Sequence, residues 1–210
     1  MPDNLGPKRQ TPLFGQISII GLGLIGSSLA RAAVQQNLGT KVIGYDSSAP
    51  VRARAVELNF ATHIATDMAE AVRDADLIIL CAPVGANSDI AAAMAAHLKT
   101  GAIISDVGSV KASVVASVTP HLPAGVHFVP AHPVAGTEYS GPDAGFATLF
   151  NKRWCIVTPL PNSSDAAVSK VTQFWQACGS NVEIMTPHHH DQVLAITSHI
   201  PHLIAYNIVG

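Results

Sequence analysis

Short apolar, β-branched runs alternate along this chain with alanine-rich stretches of helical period. Residues 17–20 (ISII) form the first run and stop at glycines, and the alanine-rich 27–36 predicts a helix. Residues 41–45 predict a second strand, ended by Asp46. Residues 51–58 read as helix, 77–82 as a fully buried strand closed by Pro83, and 89–98 as helix. Further strands are predicted at 102–105 and 127–129. Apolar strands without polar alternation, separated by helices, predict a parallel sheet covered on both faces.

After Gly136 the pattern loosens into a loop over 137–152. A strand at 154–158, a helix at 165–177 and a strand at 182–185 follow. Thr186 and Pro187 open a last helix, since threonine caps and proline suits a first turn. Its apolar period still runs at Gly210, so the expectation is that a C-terminal helical part continues beyond this chain. The organisation expected is a flexible tail at 1–14, a nucleotide-binding domain at 15–187, and the first helix of a C-terminal domain at 188–210.

Composition narrows the class. Hydrophobic residues make up 48% and charged residues 12%, which favours a filled core over disorder. A net charge of -2 provides no basic field for nucleic acid or an anionic membrane surface. Cys81, Cys155 and Cys178 are scattered, which predicts reduced core thiols in a cytoplasmic protein. Residues 1–14 lack the apolar stretch of a secretion signal, and no run approaches the roughly 20 residues of a membrane helix.

The chemistry begins at 21–26, GLGLIG, a G-x-G-x-x-G pattern between a predicted strand and a predicted helix. Gly21 permits the turn, Gly23 lets backbone approach a pyrophosphate, and Gly26 lets the helix sit close to the strand. Leu24 and Ile25 belong to the same loop and open the helix, whose N-terminal N–H groups suit phosphates. Asp46 lies about 20 residues beyond, where a carboxylate accepts from a ribose diol and repels a 2′-phosphate. This is a Rossmann-like, doubly wound fingerprint and favours NAD over NADP, although Arg52, Arg54 and Ser47-Ser48 stand nearby to hold a phosphate. Ala82, Pro83 and Val84, closing the buried strand, are placed on the cofactor's wall.

Three polar clusters follow. SDVGSVK at 105–111 sits at the end of a predicted strand, where ligands bind in open α/β sheets. Its Ser109 is either a ligand contact or the N-cap of the helix at 111–118. HPVAGTE at 132–138 places His132 after a strand. There it is either a base working near neutral pH or a histidine satisfied by backbone carbonyls. On the last helix, Asp191, Ala195, Ser198, His199 and His202 share one face, and Val193, Ile196, Ile200, Leu203 and Ile204 the opposite one. The second face reads as core or interface, and Pro201 predicts a bend. His188, His189 and His190 are adjacent and point in different directions, so no metal site is expected.

The stretches GLGLIGSSLA, GYD, DVGSVK, HPVAGTEYSG and HDQVLAITSHIPH, in this order, resemble the prephenate/arogenate dehydrogenase family of tyrosine biosynthesis. AGTEYSGPDAGFATLF in particular looks like bacterial cyclohexadienyl dehydrogenases. The resemblance implies NAD-dependent oxidative decarboxylation of prephenate or arogenate. By the same resemblance His132 takes the proton of the ring 4-hydroxyl, while Ser109 hydrogen-bonds that hydroxyl and orients His132. It also implies that Ser198 and His202 line the substrate pocket with His199 beside them, and that Thr137 and Glu138 contact or gate it. A C-terminal helical domain that forms a homodimer and supplies an arginine for the substrate carboxylates is implied too. Arg153 and the other arginines here do not match that position, so this chain is expected to bind NAD and turn over poorly.

Two alternatives remain at this point. A non-catalytic NAD(H) sensor would not require His132 with Ser109. A dehydrogenase of the β-hydroxyacid type would carry a catalytic lysine on the helix after the nucleotide domain, where this chain has histidines.

Overall fold

The computed structural model describes residues 11–196. The order of elements is β1 (Phe14–Ile20), α1 (Leu24–Gln35), β2 (Gly39–Tyr45), α2 (Ala49–Leu58), β3 (His63–Ile64), α3 (Met68–Val72) and β4 (Leu77–Leu80). Then come α4 (Asn87–Ala95), β5 (Ile103–Asp106), α5 (Lys111–Val118), β6 (His127–Phe128), β7 (Ala131–Pro133), β8 (Trp154–Val157), α6 (Asp165–Ala177), β9 (Asn181–Ile184) and α7 (Pro187–Leu194).

Six strands form a parallel sheet in the order β3-β2-β1-β4-β5-β6. The chain starts in the middle, winds outward through β2 and β3, then returns to β4 on the other side of β1. That reversal opens a crevice at the carboxyl ends of β1 and β4. β4 explains why its run is apolar throughout. Leu77 and Ile79 join the core on one face of the sheet, with Leu29, Ala33 and Phe174. Ile78 and Leu80 join the core on the other, with Ala91, Met94 and Val114. Successive side chains of a strand point to opposite faces, so a strand buried on both must be apolar at every position.

The first strand starts at Phe14, before the expected limit of 17 and inside the expected tail. The reason is tertiary: Phe14 packs edge-on against Phe174 of α6, with ring centroids 6.4 Å apart. The short β3 and α3, too brief to show a period, escape the hydrophobic pattern.

The strands after 130 do not extend the main sheet. β7, β8 and β9 form a separate three-stranded sheet, with β7 antiparallel and β9 parallel to β8. Pro130, which has no N–H to donate, stands where β6 gives way to β7. Its carbonyl accepts from Thr158 N at 2.8 Å and so hands the chain to the second sheet. His132 follows β6, as expected, and itself lies in a further short strand, β7, opposite Ile156. Among the described residues no helix is long and apolar enough to cross a membrane.

Candidate active site

A cleft of about 940 Å³ opens at the carboxyl ends of β1, β2, β4 and β5. Of the residues expected to hold a cofactor, Gly21, Gly23, Ile25, Asp46, Ala82, Pro83 and Val84 line it, and Ser109 lines its far lip. Its size falls in the range of about 300–1,000 Å³ usual for ligand sites. Gly21 has φ 98°, a conformation that side chains rarely adopt. A Cβ on Gly26 would lie 1.9 Å from the Gly21 carbonyl oxygen, so helix and turn meet only through glycine. At Gly23 a Cβ would meet nothing, because that backbone faces the cleft. Leu24, by contrast, packs against the core behind the loop.

α1 has no acidic residue in its first turn, so its N-terminal N–H groups and dipole present an uncompensated positive end to the cleft. Asp46 grips the loop from β2: one carboxylate oxygen accepts from Leu22 N at 2.8 Å and the other from Ser48 N at 2.9 Å. Each oxygen retains a further lone pair, the requirement for meeting a ribose diol. The nearby arginines are committed to protein groups. Arg52 donates to the carbonyls of Asp46 and Ser47, and Arg54 pairs with Asp143 and Glu57.

The loop carrying Ser109 is held from beneath by a buried ion pair the sequence reading did not single out. Lys111 Nζ and Asp106 Oδ2 are in contact and both side chains are fully buried. Lys111 also donates to the Ala131 carbonyl at 2.7 Å. Asp106 accepts from Gly108 N at 2.7 Å and from Ala131 N at 3.2 Å. Burial favours the neutral form of each partner and their mutual attraction opposes it. The pair ties β5 to the first residue of β7, one position before His132. Ser109 is exposed and does not cap α5. The cap comes from α7, where the Asp191 carboxylate accepts from Lys111 N at 2.7 Å and Ala112 N at 2.9 Å.

His132 is 9% exposed. Its Nδ1 lies 2.9 Å from Nε2 of His190, which is fully buried, and the two rings cross at 68°. His190 Nδ1 in turn lies 2.7 Å from Asp191 Oδ1. His132 thus has a side-chain partner in His190. Burial pushes the His190 imidazole below its ordinary value, and the Asp191 bond opposes that only in part. α7 starts as expected, Thr186 accepting from His189 N at 3.2 Å. Of the three adjacent histidines, His188 and His189 are exposed and His190 is buried.

Thr137 and Glu138 are exposed in the loop after β7, with Thr137 Oγ1 accepting from Tyr139 N at 3.2 Å. Ser198, His199 and His202, with the expected bend at Pro201, lie outside the described residues. On α7 it is His190 and Leu194 that face inward, while Ile196 of the expected apolar face is 67% exposed. His190 was legible only as one of three histidines. Its spacing of four from Leu194, one turn apart, is the signal that could have picked it out.

A family model described as prephenate dehydrogenase, nucleotide-binding domain, matches residues 29–184. The chain is 48% identical over 198 residues to a cyclohexadienyl dehydrogenase of Zymomonas mobilis, covering 94% of this chain and 67% of the relative. It is 31% identical over 194 residues to the prephenate dehydrogenase of Bacillus subtilis, covering 92% of this chain and 52% of the relative. The chain therefore spans about half the length of the second relative. Its fold matches the crystal structure of prephenate dehydrogenase from Aquifex aeolicus in complex with hydroxyphenyl propionate and NAD+, with a TM-score of 0.85 and 31% identity. That match covers 92% of this chain and 68% of the other.

Proposed function

Because the chain belongs to the prephenate dehydrogenase family, we propose that it is the nucleotide-binding part of an NAD-dependent enzyme of tyrosine biosynthesis. The reaction is the oxidative decarboxylation of prephenate to 4-hydroxyphenylpyruvate, or of arogenate to tyrosine. The observation that carries this reading is the cleft itself, with the glycine loop and Asp46 at one end and Ser109 at the other. The glycine-loop backbone and the α1 N-terminus would hold the pyrophosphate, and Asp46 the ribose diol. The commitment of Arg52 and Arg54 to protein groups supports NAD over NADP. Bound there, the nicotinamide supplies the hydride acceptor.

The residues of the chain have two tasks. His132 takes the proton of the ring hydroxyl as that carbon gains carbonyl character. When the bond to the ring carboxylate breaks, its electron pair aromatises the ring, CO2 leaves, and the proton returns to the phenolic oxygen. Ser109 hydrogen-bonds the same oxygen throughout and fixes its position. Ser198, His199 and His202, with Thr137 and Glu138, form the substrate side. Homodimerisation through the C-terminal region is part of the same reading, as is a cytoplasmic location.

The test is NADH formation by the full-length protein with each substrate in parallel. At least one should support turnover, and failure of both overturns the reading. His132→Asn should lower turnover by about 10²–10⁴-fold with NAD affinity unchanged. Near-normal turnover in that variant would remove His132 from the role of base.

A further inference from the structure

We propose that His190 and Asp191 are positioning residues that fix the proton of His132 on Nδ1 and so present Nε2 as the base. The proposal rests on the reading of His132 given above.

The argument is one of donors and acceptors. A neutral imidazole has one nitrogen that donates and one that accepts, and the partners decide which is which. An ionised carboxylate only accepts. Asp191 is kept ionised: burial alone would raise it, but the backbone N–H groups of Lys111 and Ala112 and the bond to His190 together hold it below its usual range. Its Oδ1, 2.7 Å from His190 Nδ1, therefore takes a hydrogen bond from that nitrogen. Burial keeps His190 neutral, so its single N–H is spent on Asp191 and its Nε2 is an acceptor. The atom 2.9 Å from that acceptor is His132 Nδ1, which must be the donor. The tautomer of His132 follows: hydrogen on Nδ1, lone pair on Nε2.

The elements are placed to keep this chain rigid. Asp191 is tied to α5 by two backbone bonds, His190 is fully buried, and β7 holds His132 in a strand whose first residue is clamped by Asp106 and Lys111. A base lodged this way has lost its freedom to turn over or exchange tautomers before the substrate arrives, which is how an orienting partner serves catalysis. When His132 takes a proton, the charge is met by a dipole whose far end is the Asp191 carboxylate.

Two variants of His190 separate positioning from packing. His190→Phe keeps a ring of similar size and removes the acceptor, whereas His190→Gln offers a side-chain carbonyl in place of Nε2. Measured on the full-length protein, His190→Phe should lower kcat by about 10- to 100-fold with KM and NAD affinity little changed. His190→Gln should recover most of that loss. The direct readout is the ¹⁵N spectrum of the His132 ring above neutral pH, assigned by its disappearance in His132→Asn. The wild-type protein should show the Nδ1–H tautomer, and His190→Phe should release a population with hydrogen on Nε2. An Nε2–H tautomer in the wild type, or an unchanged tautomer and kcat in His190→Phe, overturns the proposal. The spectrum needs no turnover, so its outcome stands apart from the failure of His132→Asn to affect activity, which would sink the base itself.

Discussion

The glycine loop and the cluster around His132 are built by different means. At the glycine loop the groups that face the cleft are backbone N–H groups, a helix end and one carboxylate, drawn from β1, α1 and β2, which follow one another in the chain. In the His132 cluster the groups are side chains that meet one another. His132 on β7 meets His190 on α7, Asp191 on α7 caps α5, and Lys111 on α5 reaches back to Asp106 on β5. The first site needs local conformation and the absence of side chains. The second needs four elements, from β5 to α7, brought within hydrogen-bond distance of one another. Local sites tolerate movement elsewhere, while an assembled site is only as good as the packing behind it.

The sharpest way to break the comparison is at the buried pair. Lys111→Met leaves the Asp106 carboxylate buried without its cation and should cost about 3–5 kcal/mol of stability. The denaturant midpoint should fall with unchanged slope, and pairing the change with Asp106→Asn should restore part of the loss. A loss within experimental error would mean that the joint between β5 and β7 is held by something else.

Gly26→Ala tests the glycine loop. Its methyl group must displace the Gly21 carbonyl or the helix, at about 1–3 kcal/mol. Here the expected signature is the reverse of the first variant: NAD titration should show a large loss of affinity beside a smaller loss of stability. Unchanged NAD binding would show that the close approach of helix and turn is dispensable.

Asp46→Ala should weaken NAD binding by about tenfold, or about 1.4 kcal/mol, and narrow the preference over NADP. Parallel titrations with both dinucleotides check it, and an unaltered ratio would take the ribose contact away from Asp46.

The smallest effect concerns Asp76, which accepts from Gly15 N at 2.6 Å, Gln16 N at 3.0 Å and Lys99 Nζ at 2.6 Å. Burial would raise this carboxyl, but Lys99 and the two backbone donors outweigh it and hold it below its usual value. A depressed carboxyl stabilises the fold above its unfolded pKa, near 3.9, and loses that contribution as pH falls through the folded value. Asp76→Asn should therefore cost no more than about 1 kcal/mol at neutral pH, given its partial exposure. The gap to wild type should close as pH falls below about 4. A gap that stays constant with pH would mean that the carboxylate charge contributes nothing.

Much of this was legible in the residues. The helices at 111–118 and 165–177 agree with α5 and α6 at both ends, and the glycine loop and Asp46 fall where their spacing placed them. Strand ends moved by a few residues, because a strand's limits depend on what its neighbour offers, as Phe174 does for Phe14. His132 was placed after a strand but not in the strand β7, His190 was read only as one of three adjacent histidines, and Asp106 only as part of the SDVGSVK cluster. The pattern marks His190 only through its spacing of four from Leu194 and does not mark its pairing with His132 at all. A buried histidine and an exposed one look alike in sequence, and a contact across a separation of 58 positions leaves no trace in the residues between.

By itself, then, the sequence determined the parallel α/β wall, the glycine loop at its crevice and the kind of cofactor that loop suits. These rest on period and on local backbone geometry, which neighbouring residues dictate. Tertiary structure alone decided that β7 leaves the main sheet, that α5 is capped by a carboxylate from α7, and which nitrogen of His132 carries hydrogen. Each of these is set by a partner distant in the chain, and only folding brings that partner within reach.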